Sequence, residues 1–253
     1  MKIVTSNIEQ FKIFFDTIYD VASEDIELKF FMDKLTCSIL DGSHTRFFYV
    51  EYEMKFFDEY DVDEVASICV SVTDLYNLLK LANKSDTLTL QFSEEIMSAE
   101  LLSKNGTKRL FEFVLQYGFV DSPNMPSIQL PGHIEVETSD LKQSVKDISL
   151  IGTNIFQFVL SEGTITLMSD TMMDTSSYSS TKYAQVIEAE TNVTEVMTVR
   201  FNLEFINQML KFDKINKIIS IDLGEKALVY KFEDEIMGVT VHGLIAPRIV
   251  EEE

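Results

Sequence analysis

Ile8-Glu9-Gln10-Phe11-Lys12-Ile13-Phe14-Phe15-Asp16-Thr17-Ile18-Tyr19, followed after a short break by Ile26-Glu27-Leu28-Lys29-Phe30, decides the fold. Phe11, Phe15 and Ile18 recur at helical spacing, and Ile26, Leu28 and Phe30 alternate as in a strand. About 130 residues further on, the pattern returns. Leu141, Val145 and Ile148 answer the helix face, Phe156, Phe158 and Leu160 answer the strand, and Lys142 falls opposite Lys12. A second block, Leu78-Leu79-Lys80 with Leu88, Leu90 and Phe92, comes back one residue further out as Met209-Leu210-Lys211 with Ile219, Ile221 and Leu223. Backbone period alone makes any amphipathic helix and strand look alike. Two separate blocks that keep nearly one offset point instead to a duplication: helix, strands, helix, strands, used twice.

The chain has 253 residues, 45% of them hydrophobic, enough for a core in each of two halves of ordinary domain size. Four prolines and nine glycines leave no long disordered arm apart from the acidic end Glu251-Glu252-Glu253. No apolar run reaches bilayer length, and Met1-Lys2-Ile3-Val4-Thr5 reads as a strand rather than a signal peptide, so an intracellular protein is expected. Cys37 and Cys69 lie in apolar, strand-like surroundings without paired Cys/His spacing, which predicts buried free thiols in a reducing compartment.

A formal charge of −21 argues against a generic nucleic-acid binder, because phosphate affinity comes from cations that displace condensed counterions. The few cations are placed tellingly. Lys12, Lys80, Lys84, Lys142, Lys146, Lys211 and Lys214 lie in, or just after, the repeated helices, with acids at Asp16, Asp74, Asp147 and Glu204 keeping those helices near neutral. Lys80 and Lys84, like Lys142 and Lys146, are spaced to share one helix face, opposite the apolar stripe. If all the helices pack on one side of their sheets, the lysines face one way.

In detail, the first half reads as strand Lys2–Thr5, helix Ile8–Tyr19, strands Ile26–Phe31 and Leu35–Leu40, alternating strands to Glu53, an acidic loop or edge over Asp58–Glu64, and strand Ile68–Val72. Thr73 is the expected N-cap of helix Asp74–Ala82. Strand pairs then run to about Tyr117. Pro123, Pro126 and Pro131 deny the next segment helix or central-strand status, so residues 118–132 read as a connector, with Met125, Ile128 and Leu130 keeping it on the surface. The cycle restarts with strand Ile134–Glu137, N-cap Ser139, helix Asp140–Leu150, strands to about Ala189, strand Met197–Phe201, helix Leu203–Phe212 and closing strands to Val241. The expected division is 1–117, connector 118–132, and 133–253.

Leu40-Asp41-Gly42-Ser43-His44-Thr45 after a strand, Ser144-Val145-Lys146-Asp147-Ile148-Ser149-Leu150 in the second-half helix, the proline-bearing connector, and Leu244-Ile245-Ala246-Pro247-Arg248 before a glutamate run together resemble the DNA sliding clamps of the proliferating cell nuclear antigen family, over essentially the whole length. The resemblance implies an α+β fold: two tandem, similar domains of antiparallel sheet with helices on one face, closing as a homotrimer into a ring. Double-stranded DNA would thread the ring without sequence specificity, past the seven lysines. Peptide motifs of DNA polymerase, clamp loader, ligase and nuclease would dock at Leu40, Asp41, Gly42, Ser43, His44 and Phe47, at Met125 and Ile128 of the connector, and at Ala246 and Pro247 of the tail. Subunits would join edge to edge, the strand near Leu110–Gln116 meeting the one near Ser176–Tyr183, through Leu110, Phe111, Phe113, Leu115, Tyr178 and Tyr183. A processivity factor in replication and repair is implied, with no catalytic residue, cofactor, metal or membrane, sited in the nucleus of a eukaryote or in the cytoplasm or viral factory otherwise. Against the family pattern, Gly42 loosens the docking loop, Phe47, Phe48 and Tyr49 make it heavier, and the helices carry no arginine.

Such a ring holds DNA by topology, and flexible, hydrated lysines suit sliding better than the fixed fork of arginine. Other readings remain. A diverged scaffold that gathers partners without loading on DNA would look the same in sequence. A small-ligand enzyme on a duplicated scaffold is suggested by Asp41, Ser43 and His44, but adjacency in one loop is not triad geometry. Asp170 and Asp174 with Thr171 and Thr175 hint at a hard-metal loop, yet lack the glycine and terminal glutamate of a calcium loop. Gly152 and Gly163 have no partner glycines or following lysine, so no phosphate-binding loop precedes a helix.

Overall fold

A computed structural model describes residues 1–22, 25–116, 122–169 and 183–248. The chain forms two compact units: Met1–Met125 with Glu233–His242, and Pro126–Phe232 with the residues from Gly243 on.

The first unit runs β1 (Lys2–Thr5), α1 (Ile8–Ile18), β2 (Asp25–Phe30), β3 (Lys34–Leu40), β4 (Arg46–Glu53), a 3-10 turn (Met54–Phe56), β5 (Glu59–Asp61), β6 (Ala66–Ser71), α2 (Val72–Leu81), β7 (Thr87–Phe92), β8 (Ile96–Leu102) and β9 (Lys108–Val114). The second runs β10 (Gly132–Glu137), α3 (Thr138–Ile151), β11 (Ile155–Ser161), β12 (Thr164–Ser169), β13 (Ala184–Glu188), β14 (Glu190–Thr191), β15 (Met197–Asn202), α4 (Leu203–Met209), a 3-10 turn (Leu210–Lys214), β16 (Ile218–Gly224) and β17 (Ala227–Asp234), with β18 (Val239–Ile245) closing the order.

Sheet topology carries the duplication. Strand order β4-β3-β2-β6 in the first unit is matched by β13-β12-β11-β15 in the second, and β5-β1-β7-β8 by β14-β10-β16-β17. The register is copied as well. Ile26 faces Val70 as Phe156 faces Phe201, and Ile3 faces Leu90 as Ile134 faces Ile221. Every pairing named is antiparallel, as expected where successive strands are joined by short turns.

Each unit buries its helix stripe. Phe11, Phe14, Phe15 and Ile18 of α1 are inaccessible, as are Leu141 and Ile148 of α3. The α1 face meets Tyr52 and Phe56: the Phe11 and Tyr52 rings lie 5.2 Å apart, those of Tyr52 and Phe56 4.6 Å apart, and the Tyr52 hydroxyl donates to the Phe11 carbonyl at 3.2 Å. That bond lets a polar tip enter an aromatic core without an unmade hydrogen bond.

Several local expectations are corrected. Ser71, not Thr73, caps α2, its Oγ accepting from the Asp74 N–H at 3.2 Å, so the helix begins earlier than Asp74. Glu137 occupies the N-cap of α3 without a side-chain bond, and Ser139 lies inside the first turn. The helix expected over Leu203–Phe212 stops at Met209 and tightens into the 3-10 turn. Met209, Leu210 and Phe212 are all buried there, a set too wide for one stripe of straight α-helix. The acidic Asp58–Glu64 stretch, by contrast, is the edge it was expected to be: it holds edge strand β5, where Glu59 and Asp61 stand exposed and blunt the edge with charge. Cys37 is a buried thiol outside any disulfide, pushed up to about 12 by desolvation first and by Glu27 second; Cys69, also outside any disulfide, is half-buried.

Candidate nucleic-acid and partner interfaces

In the first unit α1 packs on α2, and Tyr19 stacks on Tyr76 with ring centroids 3.9 Å apart and planes 10° from parallel. Lys80 Nζ sits 5.5 Å from the Tyr76 ring centroid, a cation–π arrangement. Lys84 pairs with Glu9 at 2.9 Å, and Lys12 is half-buried. In the second unit Lys142 and Lys217 both reach Asp213, at 2.7 and 3.1 Å. Burial would raise the Asp213 carboxyl, but the hydrogen bonds and charges of the two lysines outweigh it and hold the group below the usual carboxylate range. Lys146, Lys211 and Lys214 are exposed and have no acid partner among the described residues. The 3-10 turn, with three residues per turn, aligns Lys211 with Lys214. All seven lysines therefore stand on or beside the helices, but Lys84 and Lys142 already have carboxylate partners. An exposed pair such as Lys84 with Glu9 is worth about 0–1 kcal/mol, so a phosphate can displace that acid. Tyr76, four before Lys80, was the readable signal of the cation–π contact.

The loop between β3 and β4 is organised by one carboxylate. Asp41, 2% exposed, accepts from the Thr45 and Arg46 N–H groups at 2.7 and 2.9 Å, from the Ser43 and Thr45 hydroxyls at 2.7 and 3.1 Å, and from Arg46 Nε at 3.0 Å. Burial alone would raise its pKa; those donors, led by the Arg46 N–H, overcome it and bring the group down to about 2. His44 stands exposed with φ of 56°, the left-handed region that histidine tolerates better than most residues. Ser43 is bonded to Asp41 and Thr45, so this loop is an Asp-centred turn and not a nucleophile–base pair.

Of the expected docking residues, Leu40 is 37% exposed, and Gly42, Ser43 and His44 are exposed. Phe47 is corrected: at 3% exposure it faces the interior and supports the loop from beneath, because Phe47 and Phe48 are both buried at the start of β4. Met125 is half-buried in the connector, whose start is fastened to β3 by the Ser38–Ser122 hydroxyl contact at 2.9 Å. Ile128, Ala246 and Pro247 are half-buried in the second unit, where the tail is tied by the Arg248 N–H donating to the Arg200 carbonyl at 2.7 Å.

Strand β9 is the outer strand of its sheet, and β13 of its own. Leu110 and Val114 of β9 are 71% and 69% exposed, and Val186 of β13 is 65% exposed. Phe111 and Phe113 are half-buried on the other face of β9, rings 6.4 Å apart, and Leu115 is buried in its own unit. Asp86, itself 2% exposed, anchors β9 by accepting from Arg109 Nη2 at 2.7 Å. Tyr183 is half-buried, its hydroxyl within hydrogen-bond distance of Ser144 Oγ and Gln185 Oε1, each at 2.8 Å. The Asp170–Thr175 stretch and, apart from Tyr183, the strand expected near Ser176–Tyr183 with its Tyr178 lie outside the described residues, and β13 at Ala184–Glu188 is the outer strand that is described. Among those described, no cluster of three or more His, Cys, Asp or Glu is placed to hold a metal, and no helix is long and apolar enough to cross a membrane.

One prediction arises at Asp41. Its pKa lies below that of an unfolded aspartate, so its contribution of about 2 kcal/mol is fully present above pH 4 and is lost as pH falls toward 2. Asp41→Asn is expected to remove that part of the acid dependence of loop stability. Carboxyl NMR titration of the parent should give a midpoint near 2; one near 4 would mean that the turn does not hold the charge.

Residues 3–122 match the family model described as proliferating cell nuclear antigen, N-terminal domain. The chain is 26% identical over 242 residues to a DNA polymerase sliding clamp of Methanothermobacter thermautotrophicus, covering 94% of each. It is 21% identical over 228 residues to the proliferating cell nuclear antigen of Saccharomyces cerevisiae, covering 87% of this chain and 88% of that one. Its fold superposes on the crystal structure of the Thermococcus kodakaraensis protein with a TM-score of 0.82 at 18% identity, covering 98% and 99% of the two chains. Two copies of one α+β unit, with matched strand order and helices that bear the scarce lysines, define the processivity-clamp class of fold. The N-terminal half of the chain thus matches the proliferating cell nuclear antigen model, and nearly the whole chain is similar to proteins named DNA polymerase sliding clamp and proliferating cell nuclear antigen.

Proposed function

We propose that this chain is a DNA sliding clamp that closes as a homotrimer around duplex DNA, acts as a processivity factor for DNA polymerase, and offers docking sites to clamp loader, ligase and nuclease peptides. One observation carries the reading above all: the duplicated unit leaves its lysines on the helices and an unpaired apolar edge strand, β9 or β13, on one sheet of each unit. A chain of charge −21 repels phosphate from most of its surface. Exposed lysines confined to the helix faces then give DNA one favourable path, with contacts weak enough to exchange as the ring slides. Intracellular residence and the absence of catalysis follow from the role.

The direct test is retention after loading on circular DNA. Linearising the circle should release the protein within the time of diffusion to an end, whereas the intact circle should keep it. Equal retention on both forms refutes topological binding.

A second reading, a partner-gathering scaffold that does not load, is favoured by the ion pairs of Lys84 with Glu9 and Lys142 with Asp213, which leave fewer unpaired cations. Salt dependence separates the two. If DNA passes the helices, Lys146→Ala should lower the log–log salt slope of DNA binding by about 0.9, and Lys84→Ala by less, since Glu9 shares its charge. No change for Lys146→Ala, with connector peptides still bound, supports the scaffold.

A further inference from the structure

A patch on the first unit is left unexplained by ring, helices or connector. Met32 in the β2–β3 turn is 66% exposed, Met54 at the 3-10 turn 54%, Val65 before β6 62%, and Ile236 in the turn after β17 95%. Backbone bonds tie these separate turns together. The Met54 N–H donates to the Asp33 carbonyl at 2.7 Å, and the Glu53 N–H donates to the Gly238 carbonyl at 2.8 Å. The pairing of Phe30 with Ala66 sets Val65 beside Phe31, and the Tyr60 hydroxyl bonds the Phe31 and Lys34 carbonyls at 2.7 and 2.6 Å. Phe30, Phe56 and Phe57 lie buried beneath. The backbone is thus fixed while apolar side chains are held out into solvent, two of them methionines, whose unbranched thioethers adapt to varied partners.

The rim is acidic. Asp33, Asp63, Glu64 and Glu235 have no ion-pair partner among the described residues, whereas the nearby cations are already neutralised, Lys34 by Glu51 and Lys55 by Glu53, each at 2.9 Å. An apolar centre inside a net negative rim is complementary to one chemistry: lysine or arginine flanking apolar anchors.

We propose that this patch is a second docking surface, separate from the β3–β4 loop and connector, for a basic, apolar-anchored segment of a partner protein. The proposal needs neither ring closure nor DNA loading. Because so acidic a protein attracts any polycation, the test must separate docking from bulk charge, and substitution to aspartate does so by sign. Ile236→Asp adds a negative charge while deleting the most exposed anchor. The probe is a short fluorescein-labelled amphipathic peptide of lysine and leucine, titrated by anisotropy at physiological salt beside a lysine-only peptide of equal charge. Docking predicts at least tenfold weaker binding of the amphipathic peptide to Ile236→Asp and to Met54→Asp, with the lysine-only peptide bound equally or more tightly. Unchanged or tighter binding of both peptides overturns the proposal. So does sedimentation showing that the patch joins two copies of this chain, through a mass that Ile236→Asp lowers and the peptide does not.

Discussion

Replacing both Leu110 and Val114 by aspartate is expected to hold the protein at the mass of one chain across a dilution series in which the parent scatters as a multiple, and to abolish its retention on circular DNA. Both side chains project from the outer strand β9, 71% and 69% exposed, so neither contributes to its own unit's core. An apolar outer strand left open is a template for pairing with another chain. In the proposed ring that chain is β13 of a neighbour, whose Val186 is 65% exposed. Closing the edge over two carboxylates would bury charge without a partner, on the face that already carries Glu112, at a cost of several kcal/mol. Since each 1.4 kcal/mol is a factor of ten, the loss of association should be a thousandfold or more.

The same substitutions should leave the melting temperature of the isolated chain nearly unchanged, because surface changes away from packed or bonded features stay within about 0.5 kcal/mol. Arg109, bonded to Asp86 and to the Leu81 carbonyl, keeps β9 in place regardless. A variant that assembles as the parent does would remove β9 from the interface. A variant that unfolds would be recognised by its lost melting transition and replaced by Val186→Asp on the opposing edge. Ile236→Asp, on a different surface of the first unit, should leave the assembly intact.

How much of this was readable beforehand depends on how far the deciding contact lies along the chain. Phe11, Phe15 and Ile18 announced a helix face because burial on one side imposes a period, and all three are inaccessible. The copy at Leu141, Val145 and Ile148 announced the second unit for the same reason. The caps were less legible: Ser71 and Thr73 both bear hydroxyls close to the start of α2, and only the backbone turn decides which one meets the Asp74 N–H. Phe47 was misplaced because strand parity fixes one face per residue only where a single face is buried, and both faces are covered where Phe47 and Phe48 lie. The pairing of Lys142 with Asp213 joins segments far apart in sequence, so no local spacing could reveal it. Met32, Met54, Val65 and Ile236 were invisible as a group, since a single exposed apolar residue in a turn is ordinary and only folded turns bring such residues together.

Gly243→Ala is expected to destabilise the second unit by about 3 kcal/mol, the upper end of ordinary overpacking, lowering its melting temperature by roughly 6–12 °C. A methyl group there would stand 2.1 Å from Tyr230 Cζ, 2.2 Å from its hydroxyl oxygen and 2.4 Å from Cε1, far inside contact distance. The ring has nowhere to swing: Tyr230 is 1% exposed, with the Phe212 and Phe232 rings 6.3 and 6.2 Å away. In an unconstrained strand the same change would stabilise by about 0.5–1 kcal/mol through lost unfolded-state freedom, so the sign itself reports the close approach. Gly42→Ala supplies the contrast, because nothing lies within 4 Å of the added methyl. Combining Gly243→Ala with Tyr230→Leu should relieve the clash, giving a favourable coupling of about 1–3 kcal/mol in a double-mutant cycle. Additive losses in that cycle would mean that the methyl is accommodated by a shift of β18, and that Tyr230 does not govern how closely the strand approaches.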